Sequence, residues 1–302
     1  MPEMKRRTIR LAVLSAVLLV GVGVGMGASR LSVGEHATPG VSTPTPAADV
    51  ARGAVSAGDP DALATLPQLG QPITADQATS PEQAVSGFLT AEARGDFPGS
   101  YAFLATSEHA KFETPAFWVQ AHGHFPVVTG FRVEGSTPEG QGVRVTTLTG
   151  YQPNLDEILG LTTARARSGW LTAQEGGVWR VVFSARTNKP LYPGDAEATE
   201  VAQRWAAQRI ACEPTDQLEA ALKGAPFLAE SLCHAKGELR LGNVAPLSQL
   251  DYVTPFISAY GPDVLTWARA VPITSPQQMQ VVLAPVGADW KIMGVIRQTA
   301  TR

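Results

Sequence analysis

SPEQAVSGFLTAEARGD, residues 80–96, is the stretch whose reading decides the fold. Ser80 stands where a helix N-cap belongs, with Pro81 after it and Gln83 three positions on. In that arrangement the serine hydroxyl accepts from the Gln83 amide, the glutamine reaches back, and the missing proline N–H costs nothing. Ala84, Val85, Phe88 and Leu89 then share one helical face. Arg94-Gly95-Asp96 ends the helix, with Asp96 read as a turn residue. Tyr101, Phe103 and Leu104 belong to a second short helix, and Phe117 and Trp118 to a third over 115–121.

Downstream of these helices the period changes to that of strands. Residues 127–134 and 143–151 are rich in strand formers and are separated by a turn over 135–142. A longer strand is expected over 161–173, then a hairpin turn at Glu175-Gly176-Gly177, then a last strand over 179–185. On that strand Trp179, Val181 and Phe183 alternate, so they point together towards the helices.

After a short linker, 187–194, the order repeats. A helix carries Ala198, Val201, Ala202, Trp205 and Ala206 on one face, and Pro214 stops it. Residues 216–222 and 227–232 read as helical, and 238–244, 264–273, 279–286 and 290–297 as strands. Two local matches support a duplication. LTTARA at 161–166 parallels LTWARA at 265–270, and Trp179-Arg180-Val181 with Arg186 parallels Trp290-Lys291-Ile292 with Arg297. The offsets are 265 − 161 = 104 and 290 − 179 = 111, which a seven-residue lengthening of the hairpin near 272–278 would reconcile.

Upstream, residues 29–79 are rich in Pro, Ala, Thr and Gly and lack aromatics, which describes a disordered, solvated spacer. Before it, Lys5, Arg6, Arg7 and Arg10 precede the uncharged run 11–28, LAVLSAVLLVGVGVGMGA. Its 18 residues just reach the roughly 17 to 20 that a spanning helix needs. The positive-inside tendency keeps the N-terminus in the cytoplasm and sends 29–302 across the membrane. Cleavage before Ala28 and secretion is the alternative, since Gly25 and Gly27 are small residues at the required spacing. No Cys follows the run to take a lipid anchor. Gly21, Gly23, Gly25 and Gly27 include small-xxx-small pairs that would let two helices touch, but they are read as small residues near the end of a signal.

Of the 302 residues, 302 − 79 = 223 lie beyond the spacer, enough for one large or two ordinary domains, 80–187 and 195–302. The chain is 44% hydrophobic and only 17% charged, with a net charge of −3 and no basic cluster outside the N-terminal head. Nucleic acid is therefore not an expected partner. Both cysteines, Cys212 and Cys233, lie in the exported part and are expected to form one disulfide, which would add about 3 kcal/mol.

Helices followed by long antiparallel strands that close on Gly-x-Trp-Arg/Lys-Val/Ile form an α+β pattern. PEQAVSGFLTAEARGDFPGSYAFLA (81–105) and GGVWRVVFSA (176–185) resemble the opening helices and closing strand of the nuclear transport factor 2-like, or cystatin-like, superfamily. That family's architecture implies two tandem units of a helix followed by a curved antiparallel sheet. The first unit also resembles the non-catalytic N-terminal domain of some penicillin-binding proteins, through Trp179-Arg180-Val181 followed by KPLYP at 189–193. The Ser-x-x-Lys and Lys-Thr-Gly of a transpeptidase do not occur. An anchor, a spacer and two such units resemble inner-membrane assembly proteins of conjugation and type IV secretion systems. These resemblances imply a non-catalytic, membrane-tethered envelope protein that binds protein partners, with homo-oligomers permitted.

Enzymes of the superfamily place an Asp or His base in a cone between helices and sheet. The candidates are His109, Asp96 and Asp156. His122-Gly123-His124 forms a His-x-His pair without a visible third metal ligand, and His36 sits in the spacer. No phosphate loop, nucleophile elbow or zinc-protease motif occurs. No catalytic, cofactor or metal residue is therefore assigned. A small-ligand-binding cone is one alternative, and an isomerase- or dehydratase-like enzyme another. Trp118, Trp170, Trp179, Trp205, Trp267 and Trp290 are read as packing residues rather than a binding cage. Arg165 and Arg167 are expected to face solvent.

Overall fold

Ser80 caps its helix as the sequence requires: its Oγ accepts from the Gln83 amide at 3.2 Å, and Gln83 Oε1 accepts from the Ser80 amide at 3.2 Å. In the computed structural model, which describes residues 57–157, 160–287 and 289–297, this cap opens α1 (Pro81–Ala93). Three short helices follow: α2 (Phe97–Ala102), α3 (Thr106–His109) and α4 (Pro115–Ala121). Asp96 is more than a turn residue, because its Oδ1 caps α2 by accepting from the Gly99 amide at 3.0 Å.

The chain then runs through β1 (Val128–Glu139), β2 (Gly142–Tyr151), β3 (Asn154–Asp156), β4 (Gly160–Thr162), β5 (Arg165–Glu175) and β6 (Val178–Leu191). β1, β2, β5 and β6 form an antiparallel four-stranded sheet in that order. Val145, Tyr151, Ala166, Trp170 and Val181 bury one face of it against Phe88, Leu89 and Trp118. Trp179 and Phe183 pack on the same cluster, the face their alternation assigns. Gly176 and Gly177, with φ of 59° and 87°, make the expected turn between β5 and β6.

The single strand expected over 161–173 is two. The chain leaves strand geometry at Thr163, whose hydroxyl donates to the Arg165 carbonyl at 2.7 Å. The part before the break pairs with β3 instead, forming a separate two-stranded hairpin.

Residues 195–297 contain α5 (Asp195–Ile210), β7 (Glu219–Gly224), α6 (Phe227–Glu230), β8 (Arg240–Leu241), β9 (Ala245–Pro246), α7 (Thr254–Tyr260), α8 (Val264–Trp267), β10 (Arg269–Ser275), β11 (Met279–Val286) and β12 (Asp289–Arg297). β10, β11 and β12 are antiparallel neighbours, and β7 adds to β12 in parallel. Three expectations are corrected here. Residues 216–222 are one 3-10 turn and then β7, residues 238–244 hold only the short β8, and the strand expected from 264 begins at Arg269 after α8.

The second sheet is covered on both faces. Ala198, Val201, Ala202 and Trp205 of α5 pack on Val281, Leu283, Trp290, Ile292 and Val295. Phe256, Tyr260, Val264 and Trp267 cover Val282, Ala284, Met293 and Ile296 on the other face. Leu155 and Leu161 of the β3–β4 hairpin join that second cluster, so the first half lays a hairpin on the second half's sheet. Residues 57–297 accordingly belong to one compact unit.

Trp179 and Trp290 occupy like places, each the second residue of a final strand and each packed on the core shared with its own half's long helix. The other sequence match does not hold. Arg165 and Arg269 both open strands, but β5 adjoins the final strand of its half, whereas β11 lies between β10 and β12. A whole strand, not a longer hairpin, separates the two offsets.

The spacer is corrected in its described part. Residues 57–79 lie on the protein as a strap, with Ala62, Ala75 and Ala78 buried. Ala62, Ala64 and Leu66 pack on Leu148 and Leu191, on the sheet face turned away from α1. Asp61 Oδ2 accepts from Arg167 Nη2 at 2.7 Å, and the Ala64 carbonyl accepts from Arg165 Nε at 2.9 Å. Arg165 and Arg167 are therefore strap-binding residues rather than solvent-facing ones. Among the described residues no helix is long and apolar enough to cross a membrane. The run 11–28, residues 29–56 and His36 lie outside the described residues.

Candidate functional site: a groove beside an unpaired strand edge

The space between α1 and the first sheet is filled by aromatic rings. Phe88 lies 5.5 Å from Trp170, Trp118 5.0 Å from Phe183, and Phe112 4.7 Å from Trp118, centroid to centroid. The polar atoms among them satisfy one another. Trp170 Nε1 donates to Thr147 Oγ1 at 3.0 Å, Thr147 and Thr149 share a hydrogen bond of 2.8 Å, and Trp118 Nε1 donates to Ser100 Oγ at 2.9 Å.

The histidines take separate places. His122, at the end of α4, stacks on Phe97 at 3.9 Å. Its Nδ1 lies 2.7 Å from the Trp118 carbonyl, and its Nε2 2.8 Å from Glu92 Oε2. A carbonyl only accepts, so Nδ1 carries a proton. Nε2 then faces the carboxylate, and both ring nitrogens are engaged. His124 is exposed, and among the described residues it joins His122 in no group of three metal-type ligands. His109 stacks on Tyr101 at 4.7 Å, and its Nε2 is buried without a hydrogen-bond partner among the described residues. Asp96 is spent on its helix cap, and Asp156 sits in the β3–β4 hairpin. The buried Glu108 accepts from the Ser184 amide and hydroxyl at 3.0 and 2.7 Å and from Lys111 Nζ at 3.2 Å.

What remains open lies at the first sheet's edge. The strap turns from the sheet's far face around β1 to α1, and leaves a groove of about 390 Å³. Its walls are Pro67, Leu69 and Ile73 of the strap, Gly87 of α1, and Phe131 and Val133 of β1. Gly87 is required there, because a Cβ would collide with the Phe103 ring and press on Ile73. At the rim, Ser136 hydrogen-bonds Glu82, and this bond holds the Glu82 carboxyl below the usual carboxylate range. Beside the groove, β1 pairs with β2 on one edge only, so its other edge carries no strand among the described residues. The opposite edge strand, β6, is covered: the Ala105 amide donates to Val181 O at 2.9 Å, and the Val181 amide to Phe103 O at 2.8 Å.

The groove is not legible in the sequence, because Pro- and Ala-rich composition describes a spacer. Of the apolar residues there, Leu66 packs with Leu148 and Leu191, and Leu69 and Ile73 line the groove.

The expected cysteine pair is present: Cys212 and Cys233 are bonded, 21 positions apart. His234 stands beside them, within 4.8 Å ligand atom to ligand atom.

No protein-family model matches the chain, and no curated protein matches it. Among solved structures, the solution structure of a SEC-C motif containing protein from Rhodopseudomonas palustris is 16% identical. That match covers 39% of this chain and 80% of the other, with a TM-score of 0.29. At that score the likeness carries no argument about fold or function.

Proposed function

We propose that the protein is a non-catalytic binding or assembly module of a bacterial cell envelope, tethered to the membrane through residues 11–28 with the folded part outside. It takes an extended segment of a protein partner into the groove along β1. The observation that carries this reading is the groove itself: an apolar trough beside an unpaired strand edge. Such an edge offers backbone N–H and C=O groups to an added strand, while adjoining pockets select its side chains. Export is supported by the basic head before an uncharged run and by the cysteine bridge, which oxidising compartments favour. A scaffold role is supported by Glu92, Glu108 and His122, whose polar atoms are engaged by internal partners. We read the two halves as tandem nuclear transport factor 2-like units, a reading supported by the like places of Trp179 and Trp290 in their final strands.

The test is photo-crosslinking in cells. A photoreactive residue at Val133 or Gln71 should trap a discrete protein adduct, while one at Arg240, remote in sequence and on a different sheet, should not. A second copy of this chain in the adduct would make the partner a homo-oligomer. Recovery of only the uncrosslinked chain from the groove positions would sink the proposal.

A further inference from the structure

The cysteine bridge sits at an exposed corner with a third metal-type ligand in place. Cys212 follows the C-terminus of α5, and Cys233-His234 follows α6. All three residues are exposed, and their sulfur and ring-nitrogen atoms lie within 4.8 Å of one another. As a disulfide the two sulfurs are not thiolates and cannot hold a cation. We propose that reduction of this bridge creates a site for one zinc-type cation, held by the Cys212 and Cys233 thiolates and a His234 ring nitrogen, with water in the fourth position.

Zinc bonds of about 2.3 Å to sulfur and about 2.0 Å to nitrogen set neighbouring ligand atoms roughly 3.5 to 3.8 Å apart in a tetrahedron. The released sulfurs must move apart and the imidazole, within 4.8 Å of them, must close in, both by side-chain rotation at an exposed corner.

Hydrogen bonds and burial also hold the corner beside the bridge. The His234 amide donates to the Ile210 carbonyl at 3.1 Å, which ties the two segments together directly. The Glu213 amide donates to Gln208 O at 2.9 Å, and Leu232 and Ala229 are fully buried in the α5 core. Cys212 and His234 both hold left-handed backbone, φ 60° and 62°, the two residues outside glycine to do so among those described. Backbone held in a sparsely populated region by its surroundings is a recurrent mark of functional positions.

The chemistry balances with a dithiol as reductant. The dithiol is oxidised to its own disulfide, the Cys212–Cys233 bond takes up two electrons and two protons, and two thiols form. Binding of Zn²⁺ then releases those two protons as the thiols become thiolates, with no change in the metal's oxidation state.

The test uses the full chain, oxidised or dithiol-reduced and then freed of reductant without air. Zn²⁺ is titrated against a chromophoric chelator, and Co²⁺ is used to read the thiolate charge-transfer band. One Zn²⁺ per reduced chain and none at this site in the oxidised chain is the expected result. The Cys212→Ser, Cys233→Ser double variant should lose the Co²⁺ band, and His234→Ala should weaken zinc at least tenfold. The proposal is overturned if the reduced chain keeps its circular dichroism and takes no zinc, or if the double variant binds as tightly. Collapse of the fold on reduction overturns it as well, because the corner must survive without its bond.

Discussion

Glu219 shows what one side chain contributes to the second half. Its Oε1 accepts from Trp205 Nε1 at 2.7 Å, Arg209 Nη2 at 2.6 Å and Thr215 Oγ1 at 2.5 Å, joining α5 to the start of β7. Burial alone would push this carboxyl up, but the three hydrogen bonds and the Arg209 charge outweigh it and hold the group below its usual 4.5. A depressed folded value stabilises the protein above pH 4.5, and that contribution is lost as pH falls through the folded value. Glu219→Gln should therefore flatten the loss of thermal stability below pH 4.5 relative to the parent chain, which acid-series melting curves would read. Glu219→Ala leaves three donors without their acceptor and should cost about 2 kcal/mol in urea unfolding at neutral pH. An unchanged midpoint would show that water replaces the carboxylate without penalty.

At the scale of elements, the first helix and the strap behave differently under sequence reading, for physical reasons. α1 is specified locally: a serine, a proline and a glutamine at fixed spacing satisfy the helix's first amides, so its start was legible. Ser80→Ala should cost about 1 kcal/mol in the same unfolding assay. The hairpin turn at Gly176-Gly177 and the faces of Trp179, Val181 and Phe183 were legible for the same reason. The strap has no such local signature, because Pro- and Ala-rich composition says only that it builds no core of its own. It is ordered by the sheet it crosses, through Arg165, Arg167 and Leu148, which lie far away in sequence. A chain beginning at Ser80 should therefore be less stable than one beginning at Ala57 by at least about 2 kcal/mol, the burial lost with Ala62, Leu66, Ala75 and Ala78. Equal midpoints for the two chains would show the strap to be a passenger. The helix expected over 216–222 gives way to β7 on the same principle: its neighbour, β12, lies some seventy residues on, and tertiary pairing overrides local preference. The groove stayed hidden with the strap, since half its wall is strap.

At the scale of the molecule, the two halves that look separable in sequence share one piece of structure. The β3–β4 hairpin leaves the first sheet and sets Leu155 and Leu161, with Tyr192 of the linker, against the cluster that covers β11 and β12. Glu157 pairs with Lys223 across the same junction, and Gly58 and Asp59 of the strap close on Tyr192 and Gly194 between the halves. Apolar burial is the part of this junction that matters energetically, since the Glu157–Lys223 ion pair is partly exposed, at 61% and 30%. Because β11 is buried along nearly its whole length, removing the hairpin would bring water to a strand with no polar face to offer it. The halves should accordingly unfold together. Calorimetry of the chain from Ala57 onward should give one transition whose calorimetric and van't Hoff enthalpies agree. Leu155→Ala with Leu161→Ala should lower that single midpoint or split it, with the second half melting first. Two resolved transitions in the unmutated chain would mean that the hairpin rests on the second sheet without stabilising it, and that the linker alone couples the two halves.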